Sequence, residues 1–206
     1  AVSGDVVMEV SVVSTTIARY VRVRVAHGEQ CCLCYPSVRD NRLVEALASK
    51  LGPAMVEVRV DVPPQSGLGA SGAIGVAVLG ALNALREENP LGPDEIVELA
   101  HRVEVEDLGI AGGRQDQASA YFGGLRYYEF GPNGHISATR LDMPGGTLPL
   151  LEDSLVVAFV HPRPGSGSVI MQGEADRVHV GDPATIDALT RQKELANEAR
   201  RLLRRG

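Results

Sequence analysis

A loop of small side chains, residues 63–73, lies between a predicted strand and a predicted helix, with the sequence Pro-Pro-Gln-Ser-Gly-Leu-Gly-Ala-Ser-Gly-Ala. Small residues expose backbone N–H groups, and the unpaired N–H groups at a helix start attract phosphate oxygens. The hydroxyl of Ser71 adds a ligand for phosphate or magnesium. The predicted phosphate-contacting residues are Pro64, Ser66, Gly67, Leu68, Gly69, Ala70, Ser71 and Gly72. Taken alone, the segment also fits a tight turn that binds nothing, which is the commoner use of such loops.

Two other glycine-rich nucleotide loops are excluded by the sequence. No Lys follows the glycines, as a Gly-Lys-Ser/Thr loop would require. The spacing Gly-x-Gly-x-x-Gly occurs at Gly67, Gly69 and Gly72, but the dinucleotide-binding turn also requires a βαβ unit, and the helix predicted after this loop is followed by another helix. A phosphate site here would therefore use backbone N–H groups without a following lysine.

A second set of functional side chains surrounds a pair of glycines in residues 104–124. Phosphoryl transfer needs a metal to neutralise the phosphates and a carboxylate to orient the acceptor hydroxyl. Asp116 follows the glycines, where the backbone can approach a substrate closely, and is a candidate for this carboxylate. The predicted substrate contacts are Gly112, Gly113, Arg114 and Gln115. The acidic residues Glu104, Glu106 and Asp107 also fit a solvated helix end, an interpretation that we accept for the last two.

Both segments resemble motifs of the GHMP kinases. The first is similar to Pro-Pro-Gly-Ser-Gly-Leu-Gly-Ser-Ser-Ser-Ala, with Gln65 in place of Gly and Ala70 in place of the first Ser. The second, Gly-Gly-x-Gln-Asp-Gln with a following Phe-Gly-Gly, resembles the heptose 7-phosphate kinase branch of that family. This resemblance implies ATP and Mg²⁺ as cofactors, Asp116 as the base or orienting carboxylate, and Glu104 with Ser71 as the magnesium ligands.

The predicted elements favour an α+β fold, because strands, helices, strands and a helix follow one another in blocks. Strands are predicted as a pair at 6–13 and 17–25, then at 30–35, 55–60, 125–130 and 155–160. Helices are predicted at 43–51, 71–85, 93–106, after 113 and at 183–203. The helix at 71–85 has no polar face, so it must be buried on nearly all sides.

The resemblance also implies a domain division. Residues 1–148 would form a GHMP kinase N-terminal domain of the ribosomal protein S5 domain 2-like fold, and residues 149–206 the start of a second α+β domain. The boundary falls in the Pro/Gly-rich stretch 144–149. The glycine-rich segments that the family carries near the N-terminus and in the second domain are absent, so we expect both units to be incomplete.

Composition excludes several classes of protein. The chain has 206 residues and a formal net charge of −6, which gives no basic surface for nucleic acid. No apolar run approaches the roughly 20 residues that cross a bilayer, and no secretory signal is visible. Three cysteines cannot all pair, and they lack the four-ligand spacing of a structural zinc site. We expect a cytoplasmic protein whose partner is a small molecule and which could form a homodimer.

The sequence favours a kinase that phosphorylates a hydroxyl of a sugar or sugar phosphate from ATP by in-line transfer. Two alternatives stay open: a nucleotide-binding remnant without catalysis, and a GHMP kinase for a non-sugar substrate such as a mevalonate-type alcohol.

Overall fold

The computed structural model describes residues 10–28, 31–34, 41–52, 54–131, 135–161 and 167–206. The strands are β1 Val10–Thr15, β2 Val21–His27, β3 Cys31–Cys34, β4 Ala54–Val60, β5 Leu125–Phe130 and β6 Ile136–Arg140. The helices are α1 Arg42–Leu51, α2 Ala70–Asn83, α3 Pro93–Arg102, α4 Gln115–Phe122, α5 Thr147–Ser154, α6 Gly167–His179 and α7 Pro183–Leu203. A π-helical turn, Val103–Asp107, continues α3. The predicted α+β class is confirmed.

The strands form two three-stranded sheets, in the orders β1-β5-β6 and β2-β4-β3. All pairs are antiparallel except β3 with β4. The predicted pairing of the first two strands is wrong, because β1 pairs with β5 and β2 with β4. Five residues separate β1 from β2, and they carry the chain from one sheet to the other. β1 and β2 thus each pair with a strand that lies later in the sequence, and a local sequence pattern cannot reveal such a partner.

The core lies between helices α1 to α4 and the two sheets, with most of its buried residues on β4 and the helices. β4 alternates as its sequence predicts, with Val56 and Val58 buried and Met55 exposed. The burial predicted for the apolar helix α2 is confirmed, since it contacts β2, β4, α1, α3 and α4. Fully burying each large aliphatic side chain contributes about 1.5–3 kcal/mol. Helix α2 is therefore a rigid centre on which neighbouring loops can be placed.

Two other predicted elements differ from the structure. Residues 155–160 form no strand, and Val156 and Val160 are 88% and 85% exposed. An apolar run needs a neighbouring strand to form a ladder, and the described residues supply none there. The predicted helix at 93–106 changes to π-helical geometry at Val103. The domain boundary stays a prediction; it falls within α5.

None of the described helices combines the length and apolar character needed to cross a membrane.

Candidate active site

The predicted phosphate loop leads directly into α2. Gly69 precedes the helix with φ of +68°, and no side chain caps the helix start. Gly67 also has a positive φ, +75°. The first backbone N–H groups of α2 are therefore not occupied by a capping side chain, which is the arrangement that binds anions. The Oγ atom of Ser66 is buried in the same loop and has no hydrogen-bond partner among the described residues.

Gln65 adopts a backbone conformation that favours glycine. Its φ is +59°. A residue with a Cβ atom in this left-handed region is strained by about 1–2 kcal/mol. This position is the one where the GHMP motif has Gly, the residue that adopts such a conformation without strain.

Asp116 lies against the start of α2. A Cβ atom built on Gly69 would stand 3.0 Å from Cγ of Asp116. One built on Gly72 would stand 2.8 Å from Cβ of Asp116 and 2.9 Å from the backbone nitrogen of Gln117. Glycine at both positions therefore allows α4 to bring its second residue, an exposed carboxylate, up to the loop. The structure thus brings together the two segments that the sequence singled out.

Glu104 is buried, with 7% of its surface exposed, on the π-helical turn. The hydroxyl of Ser71 and Nε2 of Gln117 donate hydrogen bonds to its carboxylate. Burial raises the pKa of the Glu104 carboxyl above its ordinary value; these two hydrogen bonds oppose the rise, and the charge of Asp116 adds to it. Four polar side chains from α2, the π-helical turn and α4 therefore form one cluster.

Gln117 is the member of this cluster that the sequence prediction omitted. It is 2% exposed, and its Oε1 atom is buried without a partner among the described residues. The signal was present in the second Gln of the Gln-Asp-Gln motif. A buried amide beside a buried carboxylate holds that carboxylate in one orientation.

The predicted substrate residues lie on the loop that enters α4. The carbonyl oxygen of Gly112 lies 3.1 Å from Nε2 of His101. Arg114 pairs with Glu98, with Nε 2.5 Å from one carboxylate oxygen. A Cβ atom on Gly113 would stand 3.9 Å from Cε of Met171, on α6, and Gln115 is exposed at the start of α4. The sequence prediction omitted both His101 and Glu98.

A cavity of about 580 Å³ adjoins the phosphate loop, with which it shares Pro63 and Leu68. One wall carries Asp61, whose carboxylate oxygens both lie 2.6 Å from Nη1 of Arg22. This volume is in the range of small-molecule sites. The lining residues are Ile17, Ala18, Arg19, Asp61, Val62, Pro63, Leu68, Val157 and Phe159.

The donor atoms of the cluster fit a magnesium ion. Mg²⁺ prefers oxygen ligands, and it usually takes one or two from protein carboxylates and the rest from phosphate and water. Glu104 and Ser71 offer such oxygens at the phosphate loop. No group of three or more His, Cys, Asp or Glu side chains suited to a metal occurs in the part of the chain that the structure describes. A magnesium ion here would thus depend on the nucleotide for further ligands.

Residues 40–124 match the family model of the GHMP kinases N terminal domain. This stretch contains the phosphate loop, Glu104 and Asp116. The resemblance seen in the motifs is therefore confirmed for residues 40–124, which are similar to the GHMP kinases N terminal domain.

Two kinases of known name match parts of this chain. The chain is 37% identical to the D-glycero-alpha-D-manno-heptose 7-phosphate kinase of Campylobacter jejuni over 123 residues, 59% of this chain and 35% of that protein. It is 40% identical to the mevalonate kinase of Methanothermobacter thermautotrophicus over 77 residues, 37% of this chain and 25% of that protein. The chain thus spans about a third or less of the length of these relatives.

A solved structure supports the fold. The D-glycero-D-manno-heptose 1-phosphate kinase from Bacteriodes thetaiotaomicron superposes with a TM-score of 0.59 at 23% identity, over 89% of this chain and 65% of that one. This similarity confirms the GHMP kinase-like fold.

Proposed function

We propose that this chain carries the phosphoryl-transfer site of an ATP-dependent kinase that acts on a hydroxyl of a sugar or sugar phosphate. The main support is the contact of Asp116 with the start of α2 at Gly69 and Gly72. A carboxylate at this position faces the end of the helix where the terminal phosphate of a nucleotide would bind.

The phosphate loop would hold the donor. Backbone N–H groups between Gly67 and Ser71 donate to phosphate oxygens, and the positive end of the α2 dipole favours their charge. The buried hydroxyl of Ser66, which has no partner among the described residues, can donate a further hydrogen bond. Glu104 and Ser71 would hold Mg²⁺, which neutralises phosphate charge when bound.

Asp116 would act on the acceptor. Its carboxylate accepts a hydrogen bond from the attacking hydroxyl and takes the proton as the new O–P bond forms. The bond from the γ-phosphorus to the bridging oxygen breaks, and ADP leaves with that electron pair. Gly112, Gly113, Arg114 and Gln115 would contact the acceptor substrate beside it. The cavity at Pro63 and Leu68 provides volume for the rest of a ligand that occupies the loop.

The substrate class rests on the relatives. Similarity to a heptose 7-phosphate kinase supports a sugar phosphate as acceptor. Similarity to mevalonate kinases makes a mevalonate-type alcohol the second candidate. A panel of both acceptor types, with ADP release as the readout, distinguishes the two. Nucleotide binding without ADP release on any acceptor would instead favour a non-catalytic nucleotide-binding remnant.

The substitution Asp116→Asn tests the mechanism. We expect acceptor-dependent ADP release to fall by about 10²–10⁴-fold, because a positioned proton acceptor contributes that much. Calorimetry should show nearly unchanged affinity for ATP, since the phosphate loop is intact. Asp142→Asn is the matched control, because this carboxylate is 89% exposed and lies on another loop. Unchanged turnover in Asp116→Asn would refute the assignment.

A further inference from the structure

We propose that Glu98 and His101 of α3 are positioning residues for the acceptor-side loop, which we define as residues 110–114. In this proposal neither side chain contacts substrate; both act through the loop on Asp116. The inference rests on the proposed function for its catalytic consequence. Its structural part, that two side chains of one helix hold this loop in place, can be tested without turnover.

The first contact joins His101 to the middle of the loop. Nε2 of His101 lies 3.1 Å from the carbonyl oxygen of Gly112, so Nε2 carries the proton and donates it. Nδ1 is buried and has no partner among the described residues. Burial lowers the pKa of His101 and outweighs the opposing effect of the Gly112 carbonyl; the charge of Arg114 lowers it further. A neutral imidazole with one fixed tautomer is therefore the donor.

The second contact joins Glu98 to the end of the loop. Nε of Arg114 lies 2.5 Å from one oxygen of Glu98, and Nη2 lies 3.3 Å from the other. The two side chains are only 30% and 28% exposed. A two-point contact of this kind fixes the plane of the guanidinium as well as its distance. Arg114 immediately precedes α4, and Asp116 is the second residue of that helix.

These contacts matter because the loop has little rigidity of its own. Two of its five residues are glycine, and Gly109 just before it has a φ of +65°. Glu98 and His101 are three residues apart, so they share one face of α3. Ile96, Val97 and Ala100 anchor the other side of α3 in the core. The helix is thus a fixed support from which the middle and the C-terminal end of the loop are held.

The test compares Glu98→Gln and His101→Leu with His101→Gln, which keeps an N–H donor. We expect the first two to lower kcat about 10- to 100-fold with little change in nucleotide affinity, since a displacement near 1 Å at a reacting group can cost about 100-fold. His101→Gln should recover most of the activity. In Glu98→Gln and His101→Leu, the rate of backbone amide hydrogen exchange in residues 108–117 should also rise. The matched controls are Glu194→Gln, which breaks an exposed Arg–Glu pair on α7, and His179→Leu on α6.

Unchanged exchange in residues 108–117 of both Glu98→Gln and His101→Leu would overturn the inference, as would an equal rise in the controls. Equal loss of activity in His101→Gln and His101→Leu would also contradict it, because the donor would then be irrelevant. Absence of turnover in the unmodified chain would count against the proposed kinase, while the exchange data would still decide whether α3 holds the loop.

Discussion

At the scale of single residues, the candidate site contains a carboxylate, Glu104, whose burial costs free energy. Glu104 is buried with two hydrogen-bond donors but no basic side chain among its described partners. Burying a carboxylate without a cation costs free energy, and this cost is what makes such a group a good ligand for a metal ion that arrives with the nucleotide. The proposed role of Glu104 as a magnesium ligand would account for this costly position.

Glu104→Gln should therefore stabilise the protein in the absence of ligand. Because the folded-state pKa of Glu104 is raised, the folded protein binds this proton more tightly, and stability falls as pH rises through that pKa. The side-chain amide of Gln does not titrate, so the variant should lack this pH-dependent loss of stability. We expect the free energy of unfolding in urea to rise at neutral pH, because the variant no longer buries an ionised carboxylate.

The same variant should lose the additional stabilisation that magnesium with nucleotide gives the unmodified chain. Glu106→Gln is the control, because Glu106 is exposed two residues further along. Lower stability of Glu104→Gln without ligand, or an undiminished response to magnesium with nucleotide, would contradict this explanation.

The sequence predicted the residues of this site better than their contacts. Asp116, Glu104, Ser71 and the glycines were predicted from motifs, and the structure brings them together. His101, Glu98 and Gln117 were omitted, because their partners are set by how α3 and α4 pack on α2. That packing depends on non-local contacts, which a residue's own neighbours in the sequence do not encode.

At the scale of elements, the contact between α2 and α4 decides whether the loop and Asp116 meet. Gly72 lies where the two helices come closest, and its buried position leaves no space for a side chain. Gly80 lies further along α2 with nothing within 4 Å of a built Cβ atom. The two glycines of one helix therefore differ in their effect on the structure.

Gly72→Ala should destabilise the protein by about 1–3 kcal/mol, because its methyl group would meet backbone and Cβ atoms that cannot move without shifting α4. Gly80→Ala should stabilise it by about 0.5–1 kcal/mol, since alanine favours the helix and has space there. Urea unfolding measures both. Equal effects of the two substitutions would show that α4 does not approach α2 as closely as described.

Element boundaries follow from local sequence more closely than strand partners do. The alternation in β4 and the uniformly apolar α2 predicted both elements, because each pattern reflects burial on one or on all sides. Strand pairing was mispredicted for β1 and β2, and residues 155–160 form no strand, because a ladder depends on a partner elsewhere in the chain.

At the scale of the whole molecule, α7 is joined to the sheet that contains β1. Adjacent tyrosines of β5 point to opposite faces of that sheet. Tyr128 stacks on Phe130 at the core, with ring centroids 5.9 Å apart. Tyr127 faces α7, where its hydroxyl lies 2.6 Å from Oδ1 of Asn197. Cζ of Arg200 lies 4.3 Å from the centroid of the Tyr127 ring. The last helix thus covers the face of the sheet that the core leaves open.

Tyr127→Phe tests this arrangement, because it removes the hydrogen bond and keeps the packed ring. We expect a loss of about 1 kcal/mol, a fall in Tm of about 2–4 °C for a chain of this size, and faster hydrogen exchange in α7. Tyr121→Phe is the control, since Tyr121 is 36% exposed and no hydrogen bond of its hydroxyl is among those described. Faster exchange in α7 would show that the Tyr127 hydroxyl holds the helix on the sheet, whereas a lower Tm with unchanged exchange in α7 would contradict this and place the cost within the sheet itself.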